Sequence, residues 1–129
     1  MSLASGLIGL NAFVFVAYGV AFVLEPVTLS LFVTESAPET ASGRIDMRST
    51  YGGMSIGLGV VLGLTARDPA LHGLGLRAVL AVMVLMASSR LLGIALDGEP
   101  NAMMWAYLVA EVLVVVLAAW ALQGRRQAA

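Results

Sequence analysis

The sequence predicts an all-α integral membrane protein, a bundle of four spanning helices whose N and C termini both lie in the cytoplasm. Of its 129 residues, 60% are hydrophobic and only 12% are charged, and the mean hydropathy is +0.93. A soluble domain is about 45–50% apolar and about 25% charged. Four apolar stretches are each long enough to cross a hydrocarbon core of about 30 Å, at residues 3–24, 45–64, 74–96 and 102–122. We therefore expect residues 1–129 to form a single four-span membrane domain.

The charges and the missing residue types exclude several classes of function. Seven basic residues against eight acidic ones give a net charge of −1 and form no basic run, which argues against a nucleic-acid partner. The chain has no Cys and only one His, so disulfides, thiolate metal sites and histidine sites for zinc or haem are not expected. The sequence therefore predicts no metal and no cofactor.

The first span, 3–24, carries no charge and ends before Pro26, because the residue preceding a proline is pushed away from helical dihedral angles. A cleaved signal peptide is the competing interpretation, but Met1 and Ser2 offer no basic segment before the apolar core. Residues 27–34 are apolar but too few to span a membrane. We expect this segment to lie in the membrane interface or to fold back onto the bundle.

The second span, 45–64, is rich in glycine, which would weaken a helix in water. In lipid, small residues let two helices approach closely. Gly53 with Gly57, and Gly59 with Gly63, form two patterns of small residues four apart. We expect these four glycines to mediate helix packing.

Two short turns bound the third span, 74–96. The turn before it contains His72, which we expect to be exposed. The turn after it, 97–101, combines Asp, Gly, Pro and Asn, which are typical of turns. The fourth span, 102–122, has Trp105 and Trp120 near its two ends, where indole rings favour the membrane interface.

The arginines indicate how the bundle is oriented. An even number of spans places both termini on one side. Four arginines fall on that side, namely Arg67, Arg77, Arg125 and Arg126. Three fall on the other side or within a span close to it, namely Arg44, Arg48 and Arg90. Because basic residues concentrate on the cytoplasmic side, this distribution predicts cytoplasmic termini.

Two ionisable residues lie inside spans. At 1.5 Å per residue, Glu111 lies ~13 Å below the outer start of the fourth span, and Arg90 lies ~9 Å below the outer end of the third. Ionisable residues at such depths normally face the bundle and have a partner. An ion pair between Arg90 and Glu111 therefore has two interpretations, either a tie between two helices or part of a functional site.

Other polar side chains fall in the same outer half of the bundle. Tyr107 lies four residues before Glu111 and therefore shares its helix face. The remaining candidate ligand-binding residues are Asp46, Arg48, Tyr51 and Asp97. Together these residues predict an outward-facing polar crevice that binds a ligand.

Several of these residues form an ordered pattern along the chain. Asp46 and Arg48 precede Tyr51-Gly52-Gly53, and Arg90, the turn Asp97-Gly98-x-Pro100 and Glu111 follow. This pattern resembles a bacterial domain-of-unknown-function family of small four-span membrane proteins with an Arg-x-x-Tyr-Gly-Gly motif. The resemblance covers nearly the whole chain and implies a bacterial cytoplasmic membrane protein. It implies no established activity.

Three functions are open at this point. The first is an accessory protein of the membrane that binds a small apolar or amphiphilic ligand, or a partner helix, in the crevice. The second is an intramembrane isomerase, hydrolase or cyclase that acts on a lipid-soluble substrate with Glu111 as acid or base. The third is a dimeric proton-coupled transporter of small molecules, with Gly53 and Gly57 at the seam. The partners expected are the lipid bilayer, a small ligand, and a second copy or another membrane protein.

Overall fold

The computed structural model describes residues 2–127 of the chain. In this part of the chain the secondary structure is helical and contains no β-strand, which confirms the all-α prediction. Met1, Ala128 and Ala129 of the predicted domain lie outside the described residues, as does the side chain of Arg126.

Six α-helices follow one another in the described chain: α1 (Leu3–Leu24), α2 (Pro26–Thr34), α3 (Ala41–Met47), α4 (Met54–Arg67), α5 (His72–Asp97) and α6 (Ala102–Gln127). A π-helical turn at Arg48–Gly53 joins α3 to α4 without a break, and a 3₁₀ turn at Pro69–Leu71 precedes α5. Four of the helical segments are long and apolar enough to cross a membrane, namely Leu3–Leu24, Ala41–Arg67, Pro69–Asp97 and Ala102–Arg125. The protein is therefore a multi-pass membrane protein.

The boundary between α1 and α2 is set by Glu25 and Pro26. Glu25 leaves the helical region with φ −130° and ψ 61°, as a residue before proline is expected to do. Pro26 then occupies the first position of α2. Proline is tolerated there because the N–H that it lacks would make no hydrogen bond within the helix. Helix α2 contacts α1 and α6 and buries Pro26, Ser30 and Val33, so this segment packs on the bundle.

The second membrane segment is longer than the apolar run in the sequence. It begins at Ala41, because the Thr40 hydroxyl accepts a hydrogen bond from the Gly43 amide at 3.0 Å and caps the helix. Within the π-helical turn, the Met54 amide donates to the carbonyl of Ser49, five residues earlier. This turn inserts an extra residue just where the segment meets the end of α1.

The closest helix contact is between α1 and the segment formed by the π-helical turn and α4. A Cβ atom at Gly19 would lie 2.6 Å from the Gly52 carbonyl oxygen, and one at Gly59 would lie 2.7 Å from the Ala12 carbonyl oxygen. The two backbones therefore touch directly, which only glycine permits at these positions.

The four glycines singled out from the sequence occupy different surroundings. Gly59 lies in the contact with α1, and a Cβ at Gly63 would be 3.9 Å from the Ala12 methyl group, which is an ordinary contact. Gly53 and Gly57 are exposed, and a Cβ at Gly57 would have no neighbour within 4 Å. These two glycines therefore leave an open helix face.

The apolar core lies in the half of the bundle nearer the termini. Its largest fully buried side chains are Ile8, Leu62, Leu76 and Val79, contributed by α1, α4 and α5, and α6 adds the fully buried Ala118. The prediction of an exposed His72 is wrong: the residue begins α5, its side chain is only 6% exposed, and its Nε2 lies 3.0 Å from the Ala66 carbonyl oxygen. A backbone carbonyl left over at the end of α4 thus gives the imidazole a buried partner.

Large apolar side chains cover the outside of the helices. More than half of the side-chain surface is exposed at Phe13, Leu85, Leu96, Leu113 and Trp120. A soluble monomer rarely exposes so much contiguous apolar surface, whereas helices surrounded by lipid normally do.

The contact between α1 and α4 predicts that Gly59→Ala destabilises the bundle and that Gly57→Ala does not. Position 59 faces backbone, so an added methyl group forces the helices apart, and overpacking of this kind costs about 1–3 kcal/mol. Position 57 has open space. The measurement is the free energy of unfolding in detergent, from a denaturing-detergent titration followed by circular dichroism. Equal stability of the two variants would contradict the contact.

Candidate functional site

The centre of the candidate site is an ion pair between Arg90 of α5 and Glu111 of α6. The Arg90 Nε donates to Glu111 Oε2 at 3.1 Å, and Nη2 donates to Oε1 at 2.6 Å, so the guanidinium binds both carboxylate oxygens. The two side chains are 17% and 6% exposed. A two-pronged contact of this kind holds both planar groups in one orientation. It also lets two charges lie within a membrane segment, where either one alone would be costly.

Two further side chains of α6 surround the guanidinium. Arg90 Nη1 donates to the Met104 sulfur at 3.1 Å, and its Cζ lies 5.2 Å from the centre of the Tyr107 ring. Met104, Tyr107 and Glu111 share one helix face, because they are spaced three and four residues apart. Met104 was not among the candidate residues. It could have been predicted, because residues seven apart share a helix face and Met104 lies seven residues before Glu111.

Arg90 keeps part of its hydrogen-bonding capacity. A guanidinium has five N–H groups. Two of them bind Glu111 and one points to the thioether of Met104, which is a weak acceptor. Among the described residues the other two N–H groups have no hydrogen-bond partner. Arg90 can therefore donate to an additional acceptor without giving up Glu111.

A pocket of about 260 Å³ lies beside Arg90, between the end of α5 and the start of α6. We call it the Arg90 pocket, and it is lined by Arg90, Gly93, Ile94, Asp97, Gly98, Pro100 and Met104. Arg90, Ile94 and Asp97 are four and three residues apart, so one face of α5 forms a wall of the pocket. Asp97 is exposed, and the remaining lining is mostly apolar.

Asn101 fixes the start of α6 and connects it to α2. Its side-chain oxygen accepts from the Met104 amide at 3.0 Å, which caps the helix. Its Nδ2 donates to the Val33 carbonyl oxygen at 3.1 Å. Because Met104 lies one turn into α6, this cap also sets the position of the sulfur that faces Arg90.

An aromatic row extends from α1 to the π-helical turn. The rings of Tyr18 and Phe22 have centres 4.8 Å apart, and those of Phe22 and Tyr51 are stacked with centres 5.4 Å apart. Phe22, which the sequence did not single out, thereby joins Tyr51 of the π-helical turn to Tyr18 of α1.

The remaining two candidates lie apart from this cluster. Arg48 is exposed, and its Nη1 donates to the Leu24 carbonyl oxygen at the end of α1, at 3.3 Å. Asp46 is exposed and accepts from the Thr50 hydroxyl at 3.2 Å. Both contacts stabilise the entry of the second segment. In the described part of the chain, no three His, Asp or Glu side chains come together in a way that could hold a metal ion.

The ion pair predicts that Glu111→Gln destabilises the protein more than removal of both charges. Glu111→Gln leaves a partly buried guanidinium without its counter-charge, and the about 3–5 kcal/mol lost when a fully buried pair is broken is the upper limit of the cost. The double variant Arg90→Met/Glu111→Leu leaves no unpaired charge, so we expect it to retain most of the stability. The measurement is the free energy of unfolding in detergent.

Glu39→Gln is the control for this comparison, because Glu39 is an exposed carboxylate far from Arg90 in the sequence. We expect its stability to equal that of the wild type. If Glu111→Gln were as stable as Glu39→Gln, the pair would contribute nothing to folding.

A family model described as "Domain of unknown function (DUF4345)" matches residues 3–122, which is almost the whole of the described chain. No curated protein and no solved structure matches the chain.

Proposed function

The chain belongs to the DUF4345 family, whose description assigns no activity, and we propose that this member binds a small amphiphile in the Arg90 pocket. The observation that supports the proposal is the hydrogen bonding of Arg90. Glu111 holds its guanidinium at the pocket wall, and two of its N–H groups have no hydrogen-bond partner among the described residues. A donor held in a fixed direction beside an apolar cavity is what a binding site for a molecule with one polar end requires.

The charges around the pocket indicate which kind of polar end it takes. Glu111 neutralises Arg90, and the exposed Asp97 adds a negative charge to the lining. An anionic head group would be repelled by Asp97, whereas a carbonyl or hydroxyl oxygen could accept from Arg90 without adding a charge. We therefore propose a neutral head group with an acceptor oxygen, and an apolar body that fits about 260 Å³.

Met104 supports the same conclusion. Its sulfur occupies one N–H of Arg90 but accepts hydrogen bonds weakly, and the side chain has three rotatable bonds. A ligand oxygen would be a stronger acceptor and could displace the sulfur. The thioether would then contribute apolar surface to the bound molecule.

The two alternative functions both require Glu111 to exchange a proton. Both of its oxygens accept from Arg90, and its side chain is only 6% exposed. A substrate would have to break this two-pronged contact to reach either carboxylate oxygen. The geometry therefore favours binding over catalysis by an intramembrane enzyme or proton-coupled transport.

We propose that the protein lies in a bacterial cytoplasmic membrane, as the resemblance in its sequence implies, with both termini in the cytoplasm, as the distribution of its arginines favours. In this orientation the Arg90 pocket opens toward the outer side of the membrane. The open helix face at Gly53 and Gly57 is available to a second copy or to another membrane protein.

Native mass spectrometry of the protein, released gently from its own membrane, tests the proposal. We expect the wild type and Glu39→Gln to retain the same small molecule, and the folded double variant Arg90→Met/Glu111→Leu to lose it. The double variant is preferred to Glu111→Gln because it leaves no unpaired charge that could unfold the site. Retention of the molecule by the folded double variant, or a wild type that carries bulk phospholipid alone, would refute the proposal.

A further inference from the structure

A second pocket lies at the opposite end of the bundle, where α1 and α5 begin and α4 and α6 end. Its volume is about 410 Å³, and its lining includes Ser2, Ser5, Arg67, His72 and Arg125. We call it the Arg67 pocket. None of its residues belongs to the Arg90 pocket, so an inference about it is independent of the proposed function.

The lining of the Arg67 pocket carries two arginines and no acidic side chain. Arg67 is the last residue of α4, and Arg125 lies near the end of α6. Neither guanidinium forms an ion pair within the described part of the chain. Asp68, the acidic residue next to Arg67 in the sequence, uses its Oδ1 to accept from the Ala70 amide at 2.9 Å and caps the 3₁₀ turn. The pocket therefore has an excess of positive charge.

A partly buried hydrogen-bond network holds the inner part of this lining in place. The Ala66 carbonyl oxygen accepts from the Ser5 hydroxyl at 2.9 Å and lies 3.0 Å from His72 Nε2. Because a carbonyl oxygen can only accept, Nε2 is the donor in this contact. A side chain of α1 and one of α5 thus contact the same backbone carbonyl of α4, which fixes the relative position of three of the helices around the pocket.

The position of the pocket along the membrane axis indicates where its ligand comes from. All four membrane segments begin or end at it, since Leu3 begins the first, Arg67 ends the second, Pro69 begins the third and Arg125 ends the fourth. Residues at the ends of apolar segments lie level with the lipid head groups. The first turn of α1, capped by Ser2, adds the partial positive charge of a helix N-terminus on the same side.

We propose that the Arg67 pocket binds a phosphate group, supplied by the head group of a membrane phospholipid. Guanidinium groups match phosphate oxygens with two parallel hydrogen bonds, and arginine is preferred over lysine where this geometry matters. Basic pockets between membrane helices are known to accept phospholipid head groups. Arg67 and Arg125 donate to the phosphate, and the network around His72 and Ser5 fixes the wall behind it.

The test uses the full chain in neutral detergent, titrated with dioleoylphosphatidylglycerol, with bound lipid counted by native mass spectrometry. The pocket variant is Arg67→Gln/Arg125→Gln. Its control is Arg44→Gln/Arg77→Gln, which removes the same amount of charge from residues outside the lining. We expect one lipid to bind the wild type and the control equally, and the pocket variant to bind it about tenfold more weakly. Both variants should unfold like the wild type, because all four side chains lie outside the buried core.

Inorganic phosphate, added in excess, distinguishes the two sources of the group. Failure to displace the lipid supports the head group as the ligand, because the acyl chains then contribute to binding. If phosphate displaces the lipid from the wild type but has no such effect on the pocket variant, the pocket recognises phosphate. Free phosphate is then its source. Equal lipid affinity of the pocket variant and the control would overturn the proposal.

Discussion

Helices in lipid gain no hydrophobic free energy by pairing, because the surrounding acyl chains are as apolar as their own side chains. Each helix pair in this protein is therefore held by a contact that lipid cannot offer. The first pair, α1 with α4, brings two backbones together at Gly19 and Gly59. The second pair, α5 with α6, is joined by Arg90 and Glu111. Dispersion forces at very short range hold the first pair. In the second pair, neither charge can be removed alone without leaving the other unpaired in the membrane, so the candidate site and part of the fold depend on the same two residues.

The number and approximate position of the spans could be predicted from the sequence, because a membrane segment is recognised by its length and apolarity alone. The depths of Arg90 and Glu111 also predicted that they could pair, and the structure contains this pair. That the pair belongs to a ligand site stays a prediction. The role of Gly19 could not be predicted, because α1 is apolar on every face and nothing in its sequence marks the face that meets α4. His72 was misjudged for a related reason, since its partner is a backbone carbonyl that only the end of α4 brings near it.

The two ends of the bundle differ in whether their arginines are neutralised by an acidic residue. At one end Arg90 is neutralised within the protein and lies beside a small, mostly apolar pocket. At the other end Arg67 and Arg125 are exposed and line a larger pocket without an acidic residue. Between them lies the apolar core around Leu62 and Val79. The bundle thus separates an end suited to a neutral group from an end suited to an anion.

The π-helical turn at Arg48–Gly53 makes the second segment sensitive to a change in chain length. An α-helix advances by about 100° per residue, so the one extra residue in this turn sets the rotation of everything that follows it. Loss of a single residue here would restore a regular helix and turn Gly59 away from Ala12, or Tyr51 away from Phe22. Members of this family should therefore tolerate substitutions at the exposed positions of the turn far better than insertions or deletions within it.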